Sequence, residues 1–546
     1  MVTYPPQRAP LALVAFLTCV LLCPESARAT TWVVEWDGSG DATQIQDAID
    51  GASSGDTVLV EAGTWSYADT LFATGRFDAT YDDWGTAMIV LMSGVDVVSE
   101  DGASVTTLDA EGEGRVVFGG GLSAATDLVG FTVKRGLAWA ASGNARFGGG
   151  LAFDESDLTI TNCVVTEDSA VGSGAVHLQH SSADLDGCTF TDCATSGSSA
   201  GVSFQVGSSG DVTDCTFSNN RAHGVSGGAG CVYGGASPSF EGCTFSGNKV
   251  EPGSAGRAGG VFDVEGGATF TGCTFSNNVS GDEGGALRFR MPSGFPQVAS
   301  CTFQSNSAGG DGGAIYIGDG GSSVTISNCK FHDNEADDEG GAIYSEDNAS
   351  PTISGCTFDS NTATSGGGLA AHNAPTVSSC TFWGNSATDG HAIYLDESAS
   401  LAIQQTIIEY HGSGDPIECA GSAVVDTIFC CDVYDTVGGS WVGCIAGHDS
   451  VDGNFSFDPL LCSPTQNKFQ LATGSPCLPG KHPYDADCGL IGAWGLCLGQ
   501  GPSGAPGGPG AVAGNVEERT WGSVKADYSP PASSPPGNTT PAEDER

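Results

Sequence analysis

Arg288 and Arg290 are the one paired basic site between Gly148 and Tyr410. Residues two apart in a strand point to the same face. One repeat earlier stand Asp263 and Glu265. One repeat later stands Tyr316, and after it Tyr344. Guanidinium forks beside carboxylates and phenols support three kinds of chemistry. They neutralise charges across an acidic surface. They grip the hydroxyls of a glycan or a peptide, with Tyr stacking and the Arg fork as the contacts. They also serve catalysis, as an Arg beside carboxylates. Acidic loops such as Asp333 to Glu339 and Asp282-Glu283 offer oxygen ligands for Ca²⁺, or simply keep the surface soluble. Zinc is not expected, because no C-x-x-C or H-x-x-x-H pair is present.

The cysteines are the second chemical resource. Of 21 Cys, Cys19 and Cys23 precede residue 30, and nine fall at a regular interval. Cys193 and Cys231 sit among the repeats. Eight cluster towards the end: Cys419, Cys430, Cys431, Cys444, Cys462, Cys477, Cys488 and Cys497. These eight read as a disulfide framework whose connectivity spacing does not choose. The nine regular Cys read as reduced, buried thiols, because like positions stacked in register present parallel Cβ vectors that suit a bridge poorly.

The elements that position these groups repeat. Cys188, Cys215, Cys243, Cys273, Cys301, Cys329, Cys356 and Cys380 each precede a Phe by two residues, and Cys163 opens the series with Val165 in the Phe place. The spacings are 25, 27, 28, 30, 28, 28, 27 and 24 residues. Asn220, Asn248, Asn278, Asn306, Asn334, Asn361 and Asn385 each follow a Phe by three. No repeat holds a helical apolar period. Short alternating runs recur instead, as in Gly312-Gly313-Ala314-Ile315-Tyr316-Ile317. One such turn cannot bury its apolar face, but stacked turns can. The expected fold is all-β: a right-handed, single-stranded parallel β-helix of roughly 12–14 rungs over residues 30–410. Stacking the Gly-Gly-Ala-Ile strands exposes an outward strip: His177/Gln179, Ser203/Gln205, Tyr233, Asp263/Glu265, Arg288/Arg290, Tyr316, Tyr344/Glu346, His372 and Tyr394/Asp396.

The flanks read differently. Leu11 to Leu22 is a short apolar core followed by Ala27-Arg28-Ala29, so residues 1–29 read as a secretory signal. Residues 41–52 (DATQIQDAIDGA) predict a short amphipathic helix that caps the opening of the solenoid. Residues 411–497 predict a Cys-rich C-terminal cap. Residues 498–546, rich in Gly, Pro and Ser, predict a disordered tail with one island at 516–528. No later apolar run is long enough for a transmembrane helix.

The chain carries 18 basic and 65 acidic residues, a net charge of −47. That balance excludes nucleic acid as a partner and disfavours anionic membranes. It disfavours polyuronates too, unless cations bridge the charges.

Gly284-Gly285-Ala286-Leu287, Gly312-Gly313-Ala314-Ile315 and Gly340-Gly341-Ala342-Ile343, with Phe275 to Asn278, Phe303 to Asn306, Phe331 to Asn334 and Phe358 to Asn361, resemble the repeats of chlamydial polymorphic outer membrane proteins. They look equally like bacterial right-handed parallel β-helix repeat proteins, relatives of the pectin-lyase-like fold. The resemblance implies this fold over about residues 31–497 and, from the polymorphic proteins, adhesion. Those adhesins carry a C-terminal translocator barrel, and the last hundred residues here hold no series of ten-residue alternating strands, so self-transport through an outer membrane is not expected. Enzymes of the fold are lyases, hydrolases and esterases, and none of their residue constellations is present as a set. The reading is therefore a secreted or cell-surface bacterial protein, monomeric, that binds polysaccharide or a host or neighbouring cell surface without catalysis. A polysaccharide lyase or hydrolase and a structural surface component are the alternatives.

Overall fold

The computed structural model describes residues 29–67, 84–139, 143–223, 227–251, 260–290, 294–318, 324–411, 414–435 and 440–497. The expected signal at 1–29, but for its last residue, and the tail at 498–546 with its island lie outside these residues.

The chain winds into a right-handed parallel β-solenoid of about 14 turns, with little helix. A representative turn runs through four strands: Thr269–Thr271, Thr274–Ser276, Val279–Ser280 and Leu287–Phe289. Each pairs in parallel with its equivalent one turn on, respectively Gln297–Ala299, Thr302–Gln304, Ser307–Ala308 and Ile315–Ile317. Repetition yields sheets of 15, 14, 8 and 13 strands. The 14-stranded sheet carries the Thr-Phe strands and is called here the Phe sheet. The 13-stranded sheet follows the Gly-Gly pairs and is called the Gly sheet. The 8-stranded corner sheet lies between them in the chain order of each turn.

Corners come from single residues. Gly272 (φ +64°) and Asn277 (φ +54°) are left-handed, just before Cys273 and Asn278. The sequence suggests that the ladder Asn supplies the left-handed turn; in the structure the residue before it does. The ladder Asn is kept for its amide instead. In the Gly-Gly pair the two residues have different roles. Gly284 is left-handed (φ +61°), whereas a Cβ on Gly285 would run into the carbonyl of Gly313 in the next turn.

Columns fill the interior. From Phe190 to Phe382 the Phe rings stack with centroids 4.4–4.9 Å apart. Offset stacks of this kind add to the area each ring removes from water. The Cys column runs alongside, fully buried and unbridged. Its thiols donate to carbonyls, as Cys301 Sγ does to Phe270 O at 3.5 Å. The Asn column is the third. Asn278 Nδ2 donates to Phe245 O at 3.0 Å and to Asn306 Oδ1 at 2.9 Å, which answers the buried polar groups of each corner.

The helix Ile45–Gly51 forms as expected, with Ile45, Ala48 and Ile49 buried against the opening of the core. At the far end parallel pairing continues through Ile417–Cys419, Val424–Phe429 and Asp432–Asp435. Thr406 replaces Cys in that column, and Cys431 resumes it one turn later. The segment then turns back along the outside of the Phe sheet. Ala493 N–H donates to Thr381 Oγ1 at 3.0 Å and Trp494 Nε1–H to Thr357 Oγ1 at 2.6 Å.

The disulfides are Cys419–Cys444, Cys430–Cys488 and Cys462–Cys497. Cys431 and Cys477 depart from the expected framework: both are free and buried. Cys431 belongs to the inner Cys column. Cys477 is held beside Asp432, with its Sγ 3.3 Å from Oδ2.

Candidate functional site

The strip predicted from the repeats lies on the outer side of the Gly sheet, and pairing fixes its register. One column reads Ala152, His177, Ser203, Cys231, Asp263, Arg288, Tyr316, Tyr344, Ala370 and Tyr394. Two residues on, a second column reads Gln179, Gln205, Tyr233, Glu265, Arg290, Gly318, Glu346, His372 and Asp396. Backbone bonds one turn apart carry it, such as Arg290 N–H to Val264 O and His372 N–H to Ser345 O. Cys231 and Ala370 hold the first-column places at turns where the sequence suggests only Tyr233 and His372. Those two fall in the second column.

The first column is not a solvated surface. Asp263 and Arg288 are buried, and Tyr316 and Tyr344 are 3% and 6% exposed. Alternation places these side chains outside the coil, but the Gly-Gly corner folds over them. The Cβ of Tyr316 lies where a Cβ on Gly284 would come within 3.2 Å. The two Tyr rings stack on each other along the solenoid, with centroids 5.2 Å apart, so their faces are already used. Burial pushes both phenol pKa values up.

Charges in this layer are matched internally. Arg288 Nη2 lies 2.7 Å from Glu283 Oε2, and Nη1 lies 3.7 Å from Asp263 Oδ2. Asp263 Oδ2 also accepts the Tyr233 hydroxyl at 2.6 Å. Arg290 Nη2 reaches Glu265 at 2.5 Å and Asp263 at 3.6 Å. A buried charge survives by such pairing, and removing one partner is costly. Asp263 and Arg288 are thus ion-paired within the wall, and the aromatics beside them are buried rather than solvated.

The second column is accessible. Arg290 is 35% exposed, and Gln179, Gln205, Tyr233, Glu265, Glu346, His372 and Asp396 are all half-buried. Tyr316 O–H donates to Glu346 Oε2 at 2.7 Å. His372 Nε2 lies 3.0 Å from Glu339 Oε2, and Nδ1 lies 3.4 Å from Asp396 Oδ2. The bond to Glu339 holds the His372 pKa above its ordinary value. At roughly 4.8 Å per turn, Gln179 to Asp396 spans roughly 38 Å of donors and acceptors.

Beside this row lies an acidic stack whose outer members, Glu283 and Glu339, belong to the acidic loops named from the sequence, and whose middle member, Asp311, the motif reading missed. Glu283, Asp311 and Glu339 each precede a Gly-Gly pair and stack on three successive turns. Glu339 N–H donates to Asp311 Oδ1 at 3.0 Å. Arg288 serves Glu283 and His372 serves Glu339. Burial, helped by the charges of Glu339, Asp338 and Glu283, pushes the Asp311 pKa up to about 6. The signal was the acid repeated before successive Gly-Gly pairs. Among the described residues, no group of three or more His, Cys, Asp or Glu is arranged to hold a metal ion.

Residues 148–335 and 286–455 match the family model described as "Right handed beta helix region". No curated protein matches the chain. Among solved structures it is similar to the catalytic domain of a GH87 alpha-1,3-glucanase in complex with tetrasaccharides. Identity is 9%, covering 77% of this chain and 71% of that one, with a TM-score of 0.38. It is also similar to the tailspike protein of E. coli bacteriophage HK620 in complex with pentasaccharide. Identity there is 12%, covering 79% and 78% of the two chains, with a TM-score of 0.30. The family match takes in more than half of the chain and the turns whose Cys, Phe and Asn columns build the core, so this chain belongs to the right-handed β-helix family.

Proposed function

We propose that the chain is a secreted or cell-surface protein that binds a glycan, free or on a neighbouring cell, along the second column of the Gly sheet without cleaving it. The observation that carries this reading is the half-buried row from Gln179 to Asp396. Its amides, hydroxyls, acids and one guanidinium match the hydroxyl-rich chemistry of an extended sugar chain. The likeness of the repeats to surface adhesins supports the same reading. The ligand meets Arg290, Glu265 and His372, while Asp263, Arg288, Tyr316 and Tyr344 hold those groups in place from beneath. The protein acts as a monomer.

One observation favours a polysaccharide hydrolase as the second reading. Asp311, with its pKa near 6 between two other acids, is suited to protonate a leaving oxygen, and paired carboxylates are what glycoside hydrolysis requires. Incubation with a panel of neutral and acidic polysaccharides separates the two. Retention on a glycan without new reducing ends or unsaturated products supports binding alone. New ends support the hydrolase. Self-association without any ligand points to a structural surface component. Calcium belongs to the same test: a titration followed by melting reports whether the acidic corners take a cation.

A further inference from the structure

The guanidinium of Arg115 lies two turns before the start of the row just described, over the ring of Trp84, at the edge where the corner sheet begins. Its Nε, Nη1 and Nη2 donate to the carbonyls of Gly148 (2.8 Å), Trp84 (2.8 Å) and Phe147 (2.6 Å). A guanidinium has five N–H groups, so two remain. Arg115 is buried, yet no carboxylate lies within ion-pair distance among the described residues. Nearby Arg146, over the Phe147 ring at 4.7 Å, also has no carboxylate within ion-pair distance among the described residues. Arg135, Arg221, Arg288 and Arg290 all have one. In a chain of net charge −47, a buried cation left without an anion is a departure that needs a reason.

A cavity of about 200 Å³ opens on this group. Trp84, Thr86, Glu113, Arg115, Leu137 and Trp139 line it. It exists because the corner sheet starts at Leu137–Ala138, so the turn that carries Arg115 has no corner strand to fill the space. The Trp84 Nε1–H is buried and has no acceptor among the described residues. Trp139 is 75% exposed at the mouth. Glu113 is the one carboxylate in the lining and sits exposed at the rim. Enclosing pockets for drug-sized ligands run from roughly 300 to 1,000 Å³, so this one suits a single ring.

We infer that this cavity binds a small carboxylate-bearing ring, its carboxylate on the free N–H groups of Arg115 and on Trp84 Nε1, its ring face against Trp139. A sugar acid and an aromatic acid share that chemistry. The site is separate from the second-column row and does not depend on it.

The test is isothermal titration of the full chain with glucuronate, benzoate, glucose and acetate. Saturable binding of glucuronate or benzoate, at least tenfold tighter than glucose and acetate, supports the inference and says which acid is preferred. Trp139→Ala, at an exposed position that leaves folding intact, should weaken that binding at least fivefold. Arg115→Lys keeps the charge but loses the fork, and should weaken it further while circular dichroism stays that of a β-solenoid. No saturation by either acid, equal binding of glucose or acetate, or unchanged affinity in Trp139→Ala overturns it.

Discussion

Asn278 Nδ2 donates to Asn306 Oδ1 at 2.9 Å, and Asn306 repeats the bond to Asn334 at the same distance. The backbone N–H of Asn278 donates to the same Oδ1 at 3.2 Å. Each amide therefore closes its own corner and the corner of the turn before. Asn278→Ala should cost about 3 kcal/mol, since it strands the N–H groups of Asn248 as well as Phe245 O. Denaturant unfolding checks this. A loss below about 0.5 kcal/mol would mean that water replaces the amide.

Asp168 holds the place of this Asn in an earlier turn. Its Oδ1 accepts the Gly136 N–H at 2.5 Å, but its Oδ2 is buried without a partner. Burial holds its pKa well above the carboxylate range. Asp168→Asn supplies the missing amide and should stabilise the protein by roughly 1–3 kcal/mol at pH 8. At pH 4 the gain should shrink, because the folded acid is protonated and the unfolded acid is then about half protonated as well. Equal gains at both values would refute a titrating Asp168.

The same sign holds for other buried acids. Burial raises Asp311 to about 6 and Glu409 to about 7, and it raises Asp432 strongly. Unfolded carboxyls titrate near pH 4. The folded state therefore binds more protons between pH 4 and 7, and stability falls as pH rises through that window. Asp56, held low by N–H groups of Ser53 and Thr30, works in the opposite sense below about pH 4. Melting should thus peak near pH 4 and be lower at pH 8. A flat profile from 5 to 8 would contradict these assignments.

Arg288 and Arg290 should separate in stability measurements. Arg288→Ala removes the buried guanidinium from Glu283 and leaves Asp263 with Arg290 at 3.6 Å, and should cost about 3–5 kcal/mol. Arg290→Ala, at a half-exposed pair, should cost about 1 kcal/mol or less. Comparable losses would mean that the first column is not the buried layer described above.

Thiol counting tests the cysteine layout. Alkylation of the native protein should label none of the column thiols. Unfolding without reductant should expose the thirteen free Cys of residues 163–477, and reduction should release the six in disulfides. Labelling of Cys431 or Cys477 only after reduction would replace the three-bridge map.

The fold was legible because most of the central turns carry one recognisable residue in each column, and Cys, Phe, Asn and Gly-Gly each mark a different point on the coil. What alternation conveys is the side of a strand, not the depth above it. Arg288 and Tyr316 point outward as expected, yet the glycine corner and the stacked neighbours bury them. Glu265 and Arg290, in the same pairs, remain open because they stand two residues beyond that corner. Cys431 was read with the disulfide candidates because Thr406 interrupts the column before it. The unpaired Arg115 was invisible because no motif marks where the corner sheet starts.

The direct test of ligand binding along the second column is an affinity map by turn. Tyr233→Ala and His372→Ala change half-buried members of the row, two and three turns either side of Arg290, and Thr325→Ala changes an exposed position on the 15-stranded sheet. With the best ligand from a glycan array, the first two should weaken binding at least tenfold and the third should not alter it. Equal effects of all three, or no glycan retained by the unaltered protein, would contradict the account.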